Sequence, residues 1–350
     1  MNENETKNEN TLLVQRGEEG KKSFSKIALI LAGAYLITMI VSNVLNQFLI
    51  PIANDFSSEA DATTLKTIVS FIPMYVVCFP LIILLAGRMK KTPPAGEKLG
   101  GKRVFVLFSM VFPIMFAGSL IGNFLSALFS AGKSENQLVD LLSSLNPLTI
   151  AVAAFIGPVF EEIVFRKLII DRTVCYGEKA SILFSALCFG MFHMNLYQFF
   201  YAFGIGLILG YIYVRSGDIK ITIIIHMIIN SLSSIIVPIL VEKSDILNFS
   251  KMTATKEVTE SFIMENMEYF QEHMIWIMLY MLYILVYFGM VCFGIAMLIV
   301  KRKKLDIHRS EWELDEKSEI RNSLVNLGMI VYTVFTVVLI ALSLFRAAMQ

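Results

Sequence analysis

The chain has 350 residues, of which 56% are hydrophobic and 17% charged, and its mean hydropathy is +0.66. These values exclude an ordinary soluble domain and put the chain in the membrane class. The formal net charge is +1, and no basic stripe with interleaved aromatics occurs, so a general role in binding nucleic acid is excluded too.

The first 24 residues are rich in Asn, Glu and Lys and lack an apolar centre, which predicts a disordered cytoplasmic tail at 1–24. The first apolar run is too long for the core of a signal peptide and has no clear small-residue cleavage site, so no cleavable signal is expected. Crossing a bilayer core takes about 20 apolar residues. Nine runs come near or exceed that length, at roughly 27–50, 67–87, 104–131, 147–170, 180–198, 199–214, 219–241, 274–300 and 324–345. The fifth and sixth almost touch at Asn195 to Gln198. The expected fold is therefore all-α and polytopic, with about nine transmembrane helices and a conical polar cavity among the central ones. Its organisation reads as the tail, three N-terminal spans (25–144), a core of four spans (145–241), an acidic outer loop (242–272) and two C-terminal spans (273–350). Seven acids against three Lys mark that loop, and the apolar residues in its second half suit either an amphipathic surface helix or a solvated connector.

Cytoplasmic loops retain positive charge. With the N-terminus inside, 24 of the 30 Lys and Arg residues fall on the cytoplasmic side, which predicts N-in and C-out. The implied location is the cell membrane of a bacterium or the endoplasmic reticulum of a eukaryote. Cys78, Cys188 and Cys292 lie in apolar runs and Cys175 near the cytoplasmic side, without CxxC spacing, so no disulfide is expected.

The fourth run contains Glu161-Glu-Ile-Val-Phe-Arg166, two carboxylates and a guanidinium among apolar residues. Residues four apart share a helix face, so Glu162 can pair with Arg166, whereas Glu161 points about 100° away and has no such partner. An unpaired carboxylate at membrane depth costs several kcal/mol unless it meets a wet cavity, a proton or a cation. Of the four histidines, His193 lies in the fifth run, four residues after Phe189, and His226 in the seventh, four before Asn230. His273 falls at an outer membrane edge and His308 in a charged cytoplasmic loop. A single intramembrane His or Asn is commonly a satisfied interhelical hydrogen bond, and Gly206-x-x-x-Gly210 reads as helix packing. Three spans that each carry polar groups, with one Glu left over, point instead to convergence on a functional site. At ~1.5 Å per residue, Glu161, His193 and His226 would sit roughly 13, 21 and 10 Å from the cytoplasmic helix ends, a mismatch that tilt or shifted helix ends must absorb.

Neither GxSxG nor HExxH occurs, and no pair of aspartates faces across spans. A carboxylate that activates water, an imidazole beside it and donors opposite suit amide hydrolysis. In that reading Glu161 takes the proton from water, His193 positions the water and passes a proton to the leaving amine, and His226 and Asn230 donate to the oxyanion.

The three segments resemble the EExxxR, FxxxH and HxxxN motifs of the CPBP family, intramembrane glutamic endopeptidases that include CAAX prenyl proteases and bacteriocin-processing or immunity (Abi) proteins. The resemblance covers roughly 145–240. It implies Glu161 as catalytic glutamate, His193 as the motif histidine, His226 and Asn230 as oxyanion donors, and Glu162, Arg166 and Phe189 in support. It also implies a peptide or lipidated-protein substrate in the bilayer, such as a prenylated CAAX end or a bacteriocin leader, and no cofactor. Three other readings compete. Glu161, His193 and His226 could ligate a catalytic zinc, the cluster could serve a non-catalytic immunity or partner-binding protein, or it could belong to a proton-coupled transporter, disfavoured because no inverted repeat is visible.

Overall fold

The computed structural model describes residues 3–56, 58–134, 146–255, 260–301 and 316–349, and every regular element among them is a helix. His308 and the basic cluster Arg302, Lys303, Lys304 and Arg309 lie outside the described residues. The helices that matter here are α1 (Glu3–Asn54), α2 (Ala62–Gly87), α3 (Gly101–Phe129), α4 (Pro147–Tyr176), α5 (Glu178–Phe192), α6 (Leu196–Ser216), α7 (Ile219–Ser244), α8 (Met267–Lys301) and α9 (Leu327–Met349). By length and composition, eight of these can cross a membrane.

The exception is α5. The fifth apolar run does not form a full span: its helix has 15 residues and stops at Phe192, about 22 Å at 1.5 Å per residue. Met194 turns the chain at φ +53°, and the Asn195 side chain caps α6 by accepting from Gln198 N at 2.9 Å. The polar break between the fifth and sixth runs is thus the tip of an antiparallel helical hairpin. Its arms pack closely because small residues face each other: a Cβ added to Gly206 would lie 2.9 Å from Ala186 Cα.

One further expectation is corrected. The segment 1–24 is not a separate tail, because α1 runs back to Glu3. Phe24 is buried, its ring 4.9 Å from Phe184 and 6.3 Å from Tyr176, and the Arg16 guanidinium donates to the Cys175 carbonyl. These contacts stabilise helix in a segment whose composition alone would leave it disordered. Of the two readings of the loop 242–272, the helical one agrees with the structure. After α7 come Ile246–Thr255 and Glu260–Glu265, and α8 begins at Met267, with Tyr269 and His273 bonded back to the carbonyls of Asp245 and Lys243.

Two apolar cores flank the centre. One joins α1, α2, α4, α5 and α9 around Phe79, Phe165 and Phe189, and the other joins α3, α6 and α7 around Met110, Leu209 and Ile225. Where α4 meets α2, buried Arg172 donates to the Ala86, Gly87 and Leu168 carbonyls at 2.6, 2.9 and 3.0 Å, closing the C-terminal end of α2. Tyr213 on α6 donates to Asp171 Oδ1 at 2.7 Å. Together these bonds fix the registers of α2, α4 and α6. The four cysteines are free thiols.

Four segments widen into π-helix, at Pro73–Cys78, Val152–Ile156, Ile163–Ile170 and Leu232–Ile236. Three adjoin a proline, Pro73, Pro158 or Pro238, whose missing N–H interrupts the regular ladder. In the second, Gly157 N donates to Val152 O, five residues back. The next bond in that pattern, to Ala153 O, would need an N–H on Pro158, so the Ala153 carbonyl turns to a side chain instead.

Candidate active site

Helix α4 places Glu161 and Glu162 at successive positions, and their surroundings differ. Glu162 is fully buried: its Oε2 lies 3.2 Å from Arg166 Nε, and its Oε1 lies 2.9 Å from His226 Nδ1. The Arg166 guanidinium is also fully buried and stacks over the Phe189 ring at 4.5 Å. Its N–H groups are not aimed squarely at the carboxylate, so the pair is held by charge and by the ring more than by linear hydrogen bonds. Among the described residues Glu161 has no Lys or Arg ion-pair partner. Its side chain is 19% exposed, and its Oε2 is 3.5 Å from His226 Nε2.

His226 on α7 therefore bridges the two carboxylates. A carboxylate only accepts, so the short contact to Glu162 puts a proton on Nδ1 and leaves Nε2 facing Glu161. His193, at the C-terminal end of α5, has Nδ1 2.9 Å from the Phe189 carbonyl. That carbonyl also only accepts, so neutral His193 carries its proton on Nδ1 and offers the Nε2 lone pair. Phe189 is the hub of the cluster, its ring edge-on to His193 at 5.0 Å and to His226 at 5.7 Å. One turn beyond His226, Asn230 Nδ2 donates to the orphaned Ala153 carbonyl at 2.9 Å, which ties α7 to the π-helical turn ahead of Glu161. The three motif segments thus meet despite the unequal depths that straight helices imply.

The sequence reading missed Tyr75, whose ring stands edge-on to Phe160 at 5.4 Å, one residue before Glu161. Its only signal was a phenol in an apolar span, where a hydroxyl seeks a polar partner. A cavity of 810 Å³ reaches the cluster at His193. It lies between the α5–α6 tip, α1, the end of α3 and the C-terminal half of α9. Among the described residues no three His, Cys, Asp or Glu side chains are placed to hold a metal ion.

Residues 143–232 match the family model described as "Type II CAAX prenyl endopeptidase Rce1-like", a stretch that contains all three motifs. Over 178 residues, 49% of this chain, the sequence is 28% identical to the protein of Bacillus subtilis (strain 168) named "Putative membrane peptidase YdiL", of which the aligned part makes up 70%. No solved structure matches. The chain is thus a multi-pass membrane protein whose residues 143–232 are similar to the Rce1-like endopeptidases, the likeness that the three motifs carry.

Proposed function

We propose that the chain is an intramembrane endopeptidase in which Glu161 activates water to hydrolyse a peptide bond. The family match and the curated relative support a membrane peptidase. The observation that carries the glutamate mechanism is the inequality of the two carboxylates: Glu162 is fully buried and occupied by Arg166 and His226, while Glu161 is partly exposed and has no Lys or Arg partner among the described residues.

In this mechanism Glu161 accepts a proton as the water oxygen attacks the scissile carbonyl carbon, a step worth roughly 10²–10⁴-fold. His193, with Nδ1 held by Phe189, keeps Nε2 free to hold the water and to carry the proton to the leaving nitrogen when the C–N bond breaks. His226 is oriented by Glu162 and, once protonated at Nε2, donates to the oxyanion. Asn230 adds its second amide N–H, the first being engaged by Ala153. The substrate class that the family suggests is a peptide presented at the membrane, with a prenylated CAAX end or a bacteriocin leader as leading examples, and no metal cofactor takes part.

The test is cleavage of fluorogenic peptides, with and without a prenylated C-terminus, by protein purified without added metal and reconstituted in liposomes. The expected result is cleavage that persists under strong chelation and disappears in Glu161→Gln. Loss of cleavage on chelation with recovery on zinc would overturn the mechanism. An intact cellular phenotype in Glu161→Gln would favour a partner-binding protein instead.

A further inference from the structure

In the proposed hydrolysis the attacking water directs one hydrogen to Glu161 and the other to the His193 Nε2 lone pair, and one oxygen lone pair forms the bond to carbon. The second lone pair has no partner so far. A donor for it stands on α2. That helix widens to a π-turn over Pro73–Cys78, with Phe79 N bonded to Met74 O five residues back, and the extra residue re-aims the side chains within it. Tyr75 lies in this turn, its ring 5.4 Å from Phe160 and 5.5 Å from Phe79. Its hydroxyl reaches Gly157: a Cβ built there would lie 3.1 Å from Tyr75 Oη, so the missing side chain is what admits the phenol. Gly157–Glu162 is regular α-helix, and Glu161 stands one turn on from Gly157, on the same face. Helical side chains lean toward the N-terminus, which brings the Glu161 carboxylate back over the turn that the Tyr75 hydroxyl touches. Among the described residues this hydroxyl makes no hydrogen bond, and unlike the Thr149 hydroxyl it is not sealed in the interior. A phenol that is accessible and unpartnered is free to donate to a third molecule.

We infer that Tyr75 is a further catalytic residue of this site: its O–H donates to the attacking water and so turns the remaining lone pair onto the scissile carbon. This role rests on the reading of Glu161 as the base and adds a third point of attachment for the nucleophile. The Tyr75 proton is not transferred. The water gives one proton to Glu161, its oxygen bonds the carbonyl carbon, and the phenol stays neutral throughout.

Two measurements on the full chain in reconstituted vesicles or detergent test this. In the first, Tyr75→Phe is expected to lower kcat about 10-fold, since one hydrogen bond to the water is lost. KM and Tm should stay at their wild-type values, because the hydroxyl has no folded-state partner to lose. In the second, a fluorotyrosine with fluorine beside the hydroxyl replaces Tyr75 by stop-codon suppression, and its fluorine resonance is followed without substrate. The resonance should move in Glu161→Gln, which removes the charge that shares the water, whereas the same label at Tyr269 near the start of α8 should not respond. Wild-type kcat in Tyr75→Phe would overturn the inference, as would a resonance at position 75 that ignores Glu161→Gln. A lower Tm in Tyr75→Phe would make the hydroxyl a packing group and overturn it as well. A resonance that moves in a protein that cleaves nothing would uphold the contact and place the failure in the peptidase reading. Cleavage by wild type with an unmoved resonance would place it in the role given to Tyr75.

Discussion

At the scale of single residues, the local spacing carries much of the site. Four-residue spacing pairs Glu162 with Arg166 and leaves Glu161 over, and the same spacing sets Phe189 beneath His193. What no spacing rule supplies is the acceptor for Asn230, since the Ala153 carbonyl is free only because a π-turn and Pro158 coincide. Nor does spacing reveal that His226 spans both carboxylates, which depends on how α7 is rotated against α4. Removing Arg166 strands a fully buried carboxylate, so Arg166→Ala should lower stability by roughly 3–5 kcal/mol, read as a fall in detergent-solubilised Tm and folded yield. A normal Tm would rule out the pairing. Asn230→Ala should lower kcat by about 10²-fold with KM little changed, given the worth of one oxyanion donor. Equal losses in both would assign Asn230 to positioning of the Ala153 turn.

At the scale of elements, hydropathy located eight of the nine helices because long apolar runs have few other uses. It misjudged the fifth, where His193, Asn195 and Gln198 make an apolar stretch end early, and a window average passes over such a break. The helical N-terminal segment was not legible either. Its polar composition reads as disorder, and only tertiary contacts such as Phe24 on Phe184 and Arg16 on the Cys175 carbonyl account for its order. The glycine pair in α6, by contrast, was read as packing and does lie against α5. Gly206→Leu forces side-chain volume into a backbone contact, and overpacking of this kind costs about 1–3 kcal/mol. The expected outcome is a lower Tm together with lost activity, because the hairpin carries His193. A Tm equal to wild type would show that the α5–α6 contact is looser than described.

At the scale of the whole molecule, the helices form a frame that brings titratable groups from α4, α5 and α7 to one place, which a bilayer would otherwise reject singly. Composition made the all-α membrane class legible, and the three motifs made the likeness to the family legible. Neither reports which end of the bundle faces the cytoplasm. The excess of Lys and Arg on one side supports N-in and C-out, a reading that counts the short α5 and its tip as a crossing, since the tip lies beside the C-terminal ends of α3 and α9, whereas the eight long helices alone would return both termini to one side. Impermeant-reagent labelling of single cysteines introduced at Lys22 and Met349 in sealed cells should therefore protect the first and modify the second, and the opposite pattern would invert the topology. The most direct test of the account is a side-by-side comparison of Glu161→Gln and Glu162→Gln in reconstituted vesicles, scored for turnover and Tm. The account predicts that Glu161→Gln keeps a wild-type Tm and loses at least about 10²-fold in turnover, whereas Glu162→Gln, at the buried ion pair, loses stability first. Wild-type turnover by a folded Glu161→Gln protein would contradict it.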